Sequence, residues 1–264
     1  MLATILLAAT ALTGGSDIVA TEVLRMPAEE AKQGVVADAR HVYAISNSEI
    51  GKYDRISHRR VARWQGDPQL FKHMNSCRLL GREIVCAASN YPELPMASSV
   101  EWFDTRSMQH VRTRSLGPGR GSLTWLDWHE GSWWACFANY DGRGGEPGHD
   151  HRLTTLVRYS PEFVEQGAWL FPEAVLERFA PYSSSGGAWG KDGLLYVTGH
   201  DRPEMYALRI PDAGARLEHV ETIALPTGGQ AIAWDPAGRS LWSIDRRTRE
   251  MVESRVPTIS TRSR

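Results

Sequence analysis

Gln230-Ala231-Ile232-Ala233-Trp234-Asp235-Pro236-Ala237-Gly238-Arg239-Ser240-Leu241-Trp242-Ser243-Ile244-Asp245-Arg246 reads as a strand, a tight turn and a second strand. Apolar, aromatic-rich runs flank an Asp-Pro-Ala-Gly turn. The same plan occurs four more times. Gln33 to Asp38 leads into His41 to Asn47, and Ser76 to Leu80 into Ile84 to Asn90. Ser122 to Leu126 leads into Trp133 to Asn139, and Gly186 to Trp189 into Leu194 to His200. The second strands end at 47, 90, 139, 200 and 246, giving intervals of 43, 49, 61 and 46 residues.

Two further strand-like runs follow each of the first four hairpins, such as Glu49 to Tyr53 with Arg60 to Trp64. Four strands per unit of about 45 residues is the period of a propeller blade. The fifth unit has only three strands, ending with Met251 to Arg255, and Thr21 to Met26 is suited to supply its outer strand. The chain therefore reads as all-β: a single five-bladed β-propeller over residues 20–257, closed by the N-terminal strand, with a flexible tail over 258–264. Closure of this kind leaves no free sheet edge. Bulky rings filling the spaces between twisted blades account for the ten tryptophans.

Residues 1–15 read as a signal peptide or N-terminal extension, with Ala9-Thr10-Ala11 as the small-residue cleavage pattern, so the expected location is periplasmic or secreted. Cys77 and Cys86 flank a turn at Gly81-Arg82 that would set them directly opposite each other. Two readings fit: a cross-strand disulfide, or two small buried apolar residues. A net charge of −1 excludes a polyelectrolyte-type nucleic-acid binder. No segment has the length to cross a bilayer as a helix. The expected state is a monomer that acts on a small molecule.

Loops between second and third strands share one face, the upper one, with the links that enter each first strand. The elaborate loops all fall there: 91–98, 140–152 and 201–204. The lower face carries tight turns that read as purely structural. At the upper ends of the second strands, Asn47, Asn90, Asn139, His200 and Arg246 form a polar ring. His200 is the leading acid/base candidate, with Asp201 and Glu204 beside it and His73 in an entering link. Substrate-contact candidates are Gln33, Asn47, Asn75, Asn90, Tyr91, Arg120, Asn139, Tyr140, Ser184, Gln230 and Arg246. No cofactor is required by this pattern. A hard cation such as Ca²⁺ is compatible with Asn90, Asn139, Asp141 and Asp245. The stretch 172–179 reads as a short helix, either a flap over the mouth or a packed spacer.

Gly121-Ser122-Leu123-Thr124-Trp125, Ser185-Gly186-Gly187-Ala188-Trp189 and Tyr196-Val197-Thr198-Gly199-His200-Asp201 resemble a family of bacterial propeller proteins often labelled cycloisomerase-like. That resemblance implies the fold and acid/base chemistry, with a lactonase, cycloisomerase or lyase activity as the expectation and sugar or peptide binding as its alternative. Lys32-Gln33-Gly34-Val35 is similar to the first-blade entry of plant and bacterial glutaminyl cyclases, which implies acyl transfer. The chain departs from that second family at Ala44 and Asn75-Ser76, where the family carries acidic residues.

Overall fold

The computed structural model describes residues 18–259 except 239. Five antiparallel sheets stand around a central channel. The first blade comprises Gly34–Ala37, His41–Ile45, Glu49–Asp54 and Arg60–Gln65. The second runs from His73–Leu80 to Gln109–Pro118, and the third from Ser122–His129 to Glu165–Leu170. The fourth runs from Gly186–Trp189 to Glu218–Ala224. The fifth contains Ile232–Trp234, Leu241–Asp245 and Glu250–Arg255, and Thr21–Pro27 pairs antiparallel with the last of these. The expected closure is observed.

One element was not foreseen. Ile18–Val19 pairs in parallel with the outer strand of the fourth blade, so residues 18–27 cover that edge before completing the fifth blade. The chain also stays packed beyond the expected tail boundary at 258, because Ile259 is buried against the fourth and fifth blades.

Burial follows the blade geometry. Five apolar clusters lie one at each junction between successive blades, including the junction of the fifth with the first. Trp125 and Trp242 are fully buried in two of these. A Cβ at Gly187 would lie 2.4 Å from the Trp125 indole, so only glycine lets that ring lie against the fourth blade's inner strand. Trp125, Trp134, Trp189, Trp234 and Trp242, which the repeat would place at corresponding inner-strand positions, do not share one register. Trp189 and Trp234 occupy matching inner-strand positions, whereas Trp134 and Trp242 lie on second strands. The short helix Glu173–Phe179 buries Val175, Leu176 and Phe179 between the third and fourth blades, which makes it a packed spacer.

Cys77 and Cys86 face each other across the hairpin and are joined by a disulfide. Cys136 is free and buried, and burial pushes its thiol up to about 12, which makes it a poor nucleophile.

Candidate functional site

The upper mouth brings together residues from three blades around one histidine. His200 follows the second strand of the fourth blade, where the chain leaves the sheet. Its Nε2 lies 2.8 Å from Arg246 Nη1, at the matching position of the fifth blade. Arginine has no acceptor, so Nε2 must be unprotonated and Nδ1 carries the hydrogen. That Nδ1–H points to Asp201 Oδ1 at 2.7 Å. Tyr182 stacks on the imidazole with a centroid separation of 4.1 Å. Burial lowers the His200 pKa, Arg246 lowers it further, and Asp201 opposes both.

His73 begins the inner strand of the second blade. Burial pushes its imidazole down to about 4, with the charges of Arg246 and His200 acting in the same direction. His73, His200 and Arg246 thus converge from the second, fourth and fifth blades. His73 packs on Tyr91 at 4.9 Å, and Tyr91 meets Tyr140 edge-on at 5.2 Å. The 140–152 loop closes over this aromatic row. A Cβ at Gly144 would lie 2.4 Å from the Tyr91 ring, and Glu146 Oε1 accepts the Met96 N–H at 2.7 Å.

The remaining candidates separate into two groups. Gln33 Nε2 donates to Asn47 Oδ1 at 2.9 Å, and Gln230 Nε2 donates to the His200 carbonyl at 3.0 Å. These two glutamines brace the ring at the mouth. The others are engaged elsewhere. Ser184 is fully buried, accepting the Trp125 indole N–H at 2.9 Å and donating to the Thr198 carbonyl. Asn75 is buried and ties the second blade to the Leu123 carbonyl of the third. Asn90 closes its own loop through Pro95 and Ala97. Asn139 donates to the Arg120 and Leu153 carbonyls. Arg120 pairs with Glu165 on the outermost strand of the third blade. Glu204 is held by Arg178 and the Tyr206 hydroxyl, so it does not orient His200.

The four residues expected to suit a cation do not form one donor set. Asn90 and Asn139 are bonded as above, and Asp245 faces Arg25 and the turn amides of Arg247 and Thr248. Asp141 instead meets Asp150 and His151, with ligand atoms within 4.8 Å of one another. Within that trio His151 Nδ1 bonds Asp141, and Arg152 bonds Asp150 through two nitrogens. A guanidinium already neutralises one carboxylate there, a poor setting for a divalent ion that wants several free oxygens.

Tyr182 is the mouth residue that the sequence pattern did not single out. The sequence offered only a weak signal: an aromatic directly before Ser183-Ser184 in a link that enters an inner strand.

No family model matches the chain, and no curated protein matches it at a significant level. Solved structures do match. A luciferin-regenerating enzyme is 12% identical with a TM-score of 0.53, covering 89% of this chain and 80% of that one. The β-propeller domain of Myceliophteria thermophila Cps50 (Swd1) is 11% identical with a TM-score of 0.50, covering 90% of this chain and 100% of that one. At such identities the likeness is one of fold. The chain is a five-bladed β-propeller.

Proposed function

We propose that the upper mouth is an acid/base site for a small polar or cyclic substrate bearing an anionic group, of the kind a lactone hydrolase, cycloisomerase or lyase transforms. The Asp201–His200–Arg246 chain carries this reading. A substrate carboxylate or a developing oxyanion that draws Arg246 away frees His200 Nε2 to accept a proton. Asp201 then keeps Nδ1 protonated and stabilises the imidazolium. The lowered pKa leaves His200 neutral at neutral pH, as a general base must be. Tyr182 covers one face of the ring, and His73 adds a second neutral imidazole to the mouth. Export to an oxidising compartment is part of the proposal, supported by the Cys77–Cys86 disulfide and by the signal-like residues 1–15, which lie outside the described residues.

One observation favours a second reading, ligand binding without chemistry: Arg246 already occupies the proton-accepting nitrogen. A turnover panel of lactones, esters and cyclic carboxylates, run with wild type and His200→Ala, separates the two. The enzymatic reading expects turnover of at least one class and a loss of about 100-fold or more in kcat on substitution, with affinity little changed. Absence of turnover across the panel, with affinity for a bound panel member lost in His200→Ala, would establish the binding reading instead.

A further inference from the structure

The lower end of the channel holds a cavity of about 900 Å³, among the turns that read as structural in the sequence. Its wall includes inner-strand residues near the turns. Ala37, Trp189 and Trp234 end their strands, and Arg78 and Asp127 lie two residues before the ends of theirs. The accessible aromatic surface comes from the half-buried Trp128 and Trp234, while Trp189 is buried with His129 stacked flat on it at 4.3 Å.

Four carboxylates of the wall are fixed by internal bonds. Asp127 is buried and is held by Arg78 and by the Trp128 and Trp189 amides at 2.8 and 2.7 Å. Asp38 takes the Tyr43 hydroxyl, Asp192 the Tyr196 hydroxyl, and Asp235 the Arg55 guanidinium. Asp192 and Asp235 each also take one turn amide and keep lone pairs free to accept again, whereas Asp38, which also takes the Arg40 and His41 amides and lies 3.3 Å from His41 Nδ1, is fully engaged. Donors stand beside them. Arg78 places Nε on the Leu79 carbonyl and Nη1 on Asp127, yet its side chain keeps 36% exposure, so part of the guanidinium remains open. Lys191 Nζ is bonded to the Ala237 carbonyl and retains further N–H groups.

The wall thus offers fixed acceptors, fixed donors and indole surface together. A small anion would meet Asp38 and Asp192, and a small cation would meet Arg78 and Lys191. A neutral polyol uses all three features, since its hydroxyls both donate and accept and its C–H faces pack on indole. The volume lies at the upper end of the range for ligand cavities, enough for a short chain of sugar rings. We infer that the lower cavity is a second binding site, for a neutral oligosaccharide, separate from the upper mouth.

The test is calorimetric titration of the full chain with maltotriose, cellotriose and chitotriose, with choline and benzoate as the cationic and anionic comparisons. At least one trisaccharide should bind with a Kd of about 1 mM or tighter. Trp128→Ala and, as a turn variant that leaves the core intact, Lys191→Ala should each weaken it by about tenfold. Arg246→Ala, at the opposite end, should change it less than about twofold. The inference fails if no trisaccharide binds at concentrations up to about 10 mM, or if choline or benzoate binds more tightly than all three. It also fails if Arg246→Ala abolishes trisaccharide binding while both lower-face variants retain it.

Discussion

The two ends of the channel are built from the same strands and finished in opposite ways. At the upper end, long loops fold inward and their side chains engage one another: glutamines brace the ring, His200 bridges Asp201 and Arg246, and the 140–152 loop lies on Tyr91. At the lower end the turns are too short to reach across, and a large cavity remains. Loop length at a channel mouth therefore works in two directions. Long loops supply reactive groups and also cover the opening, whereas short turns leave space that inner-strand side chains must line. Of the lower polar groups, Arg78 and Asp127 belong to inner strands, and Asp38, Asp192 and Asp235 are held in tight turns by hydrogen bonds. The upper ones are set by loops.

That contrast predicts unequal costs for removing an aspartate. Asp127 is buried, and without it Arg78 and two amide groups lose their partner. Asp127→Ala should destabilise the chain by about 3 kcal/mol or more. Asp201 has a side chain 57% exposed, and Asp201→Ala should cost less than about 1 kcal/mol in stability while impairing turnover. Urea unfolding of the two variants measures both. Equal losses would mean that the two ends are equally embedded in the fold.

Next comes the disulfide. It joins neighbouring strands at the lower end, where Cys77 also lines the cavity. The loop it closes is short, so Cys77→Ser with Cys86→Ser should cost about 2 kcal/mol. For a chain of this size that corresponds to a fall in Tm of about 4–8 °C, read by calorimetry. The same shift should follow reduction of the wild type. The upper mouth should respond little, because no group of the Asp201–His200–Arg246 chain touches either sulfur.

The histidines of the upper end contribute to the pH response. His73 titrates near 4 in the folded chain against an ordinary 6.5, so between those values the unfolded chain binds the extra proton. Stability is therefore lost as pH falls from 6.5 towards 4, by about 3 kcal/mol. The lowered pKa values of His200 and His219 act in the same direction. Urea midpoints at pH 7 and pH 4.5 measure the slope, and His73→Gln should flatten it. A slope unchanged in that variant would remove His73 from the account.

The sequence shows the blades readily, because a strand, a turn and an aromatic-rich strand recur at nearly constant spacing and each repeat leaves a chemical trace. It also shows the disulfide register, since turn length fixes which residues face each other. His200, Asp201 and Arg246 were legible as strand-end polar residues. Ser184, Asn75 and Asn139 carry the same signature but form ties within and between blades, a distinction that depends on neighbours far away in sequence. The lower cavity was hidden for a related reason. Arg78 and Asp127 come from different blades, so their pairing leaves no local pattern.

The smallest expected effect is the most selective test of this division. Arg120 and Arg246 are both exposed arginines on upper-face segments, and composition treats them alike. Arg120 is paired with Glu165, an exposed partner on an outer strand, whereas Arg246 is bonded to the catalytic candidate His200. An exposed ion pair contributes about 0–1 kcal/mol, so Arg120→Ala should shift stability by less than that. It should also leave KM for a turned-over anionic substrate within about twofold, whereas Arg246→Ala should raise it by about tenfold or more. Parallel effects of the two variants on KM would mean that the whole upper face attracts substrate by diffuse charge. In that case raising the ionic strength should weaken substrate binding in wild type as strongly as either substitution does. A large effect confined to Arg246 instead places the anion at the His200 side of the mouth, where a departing guanidinium is what frees the base.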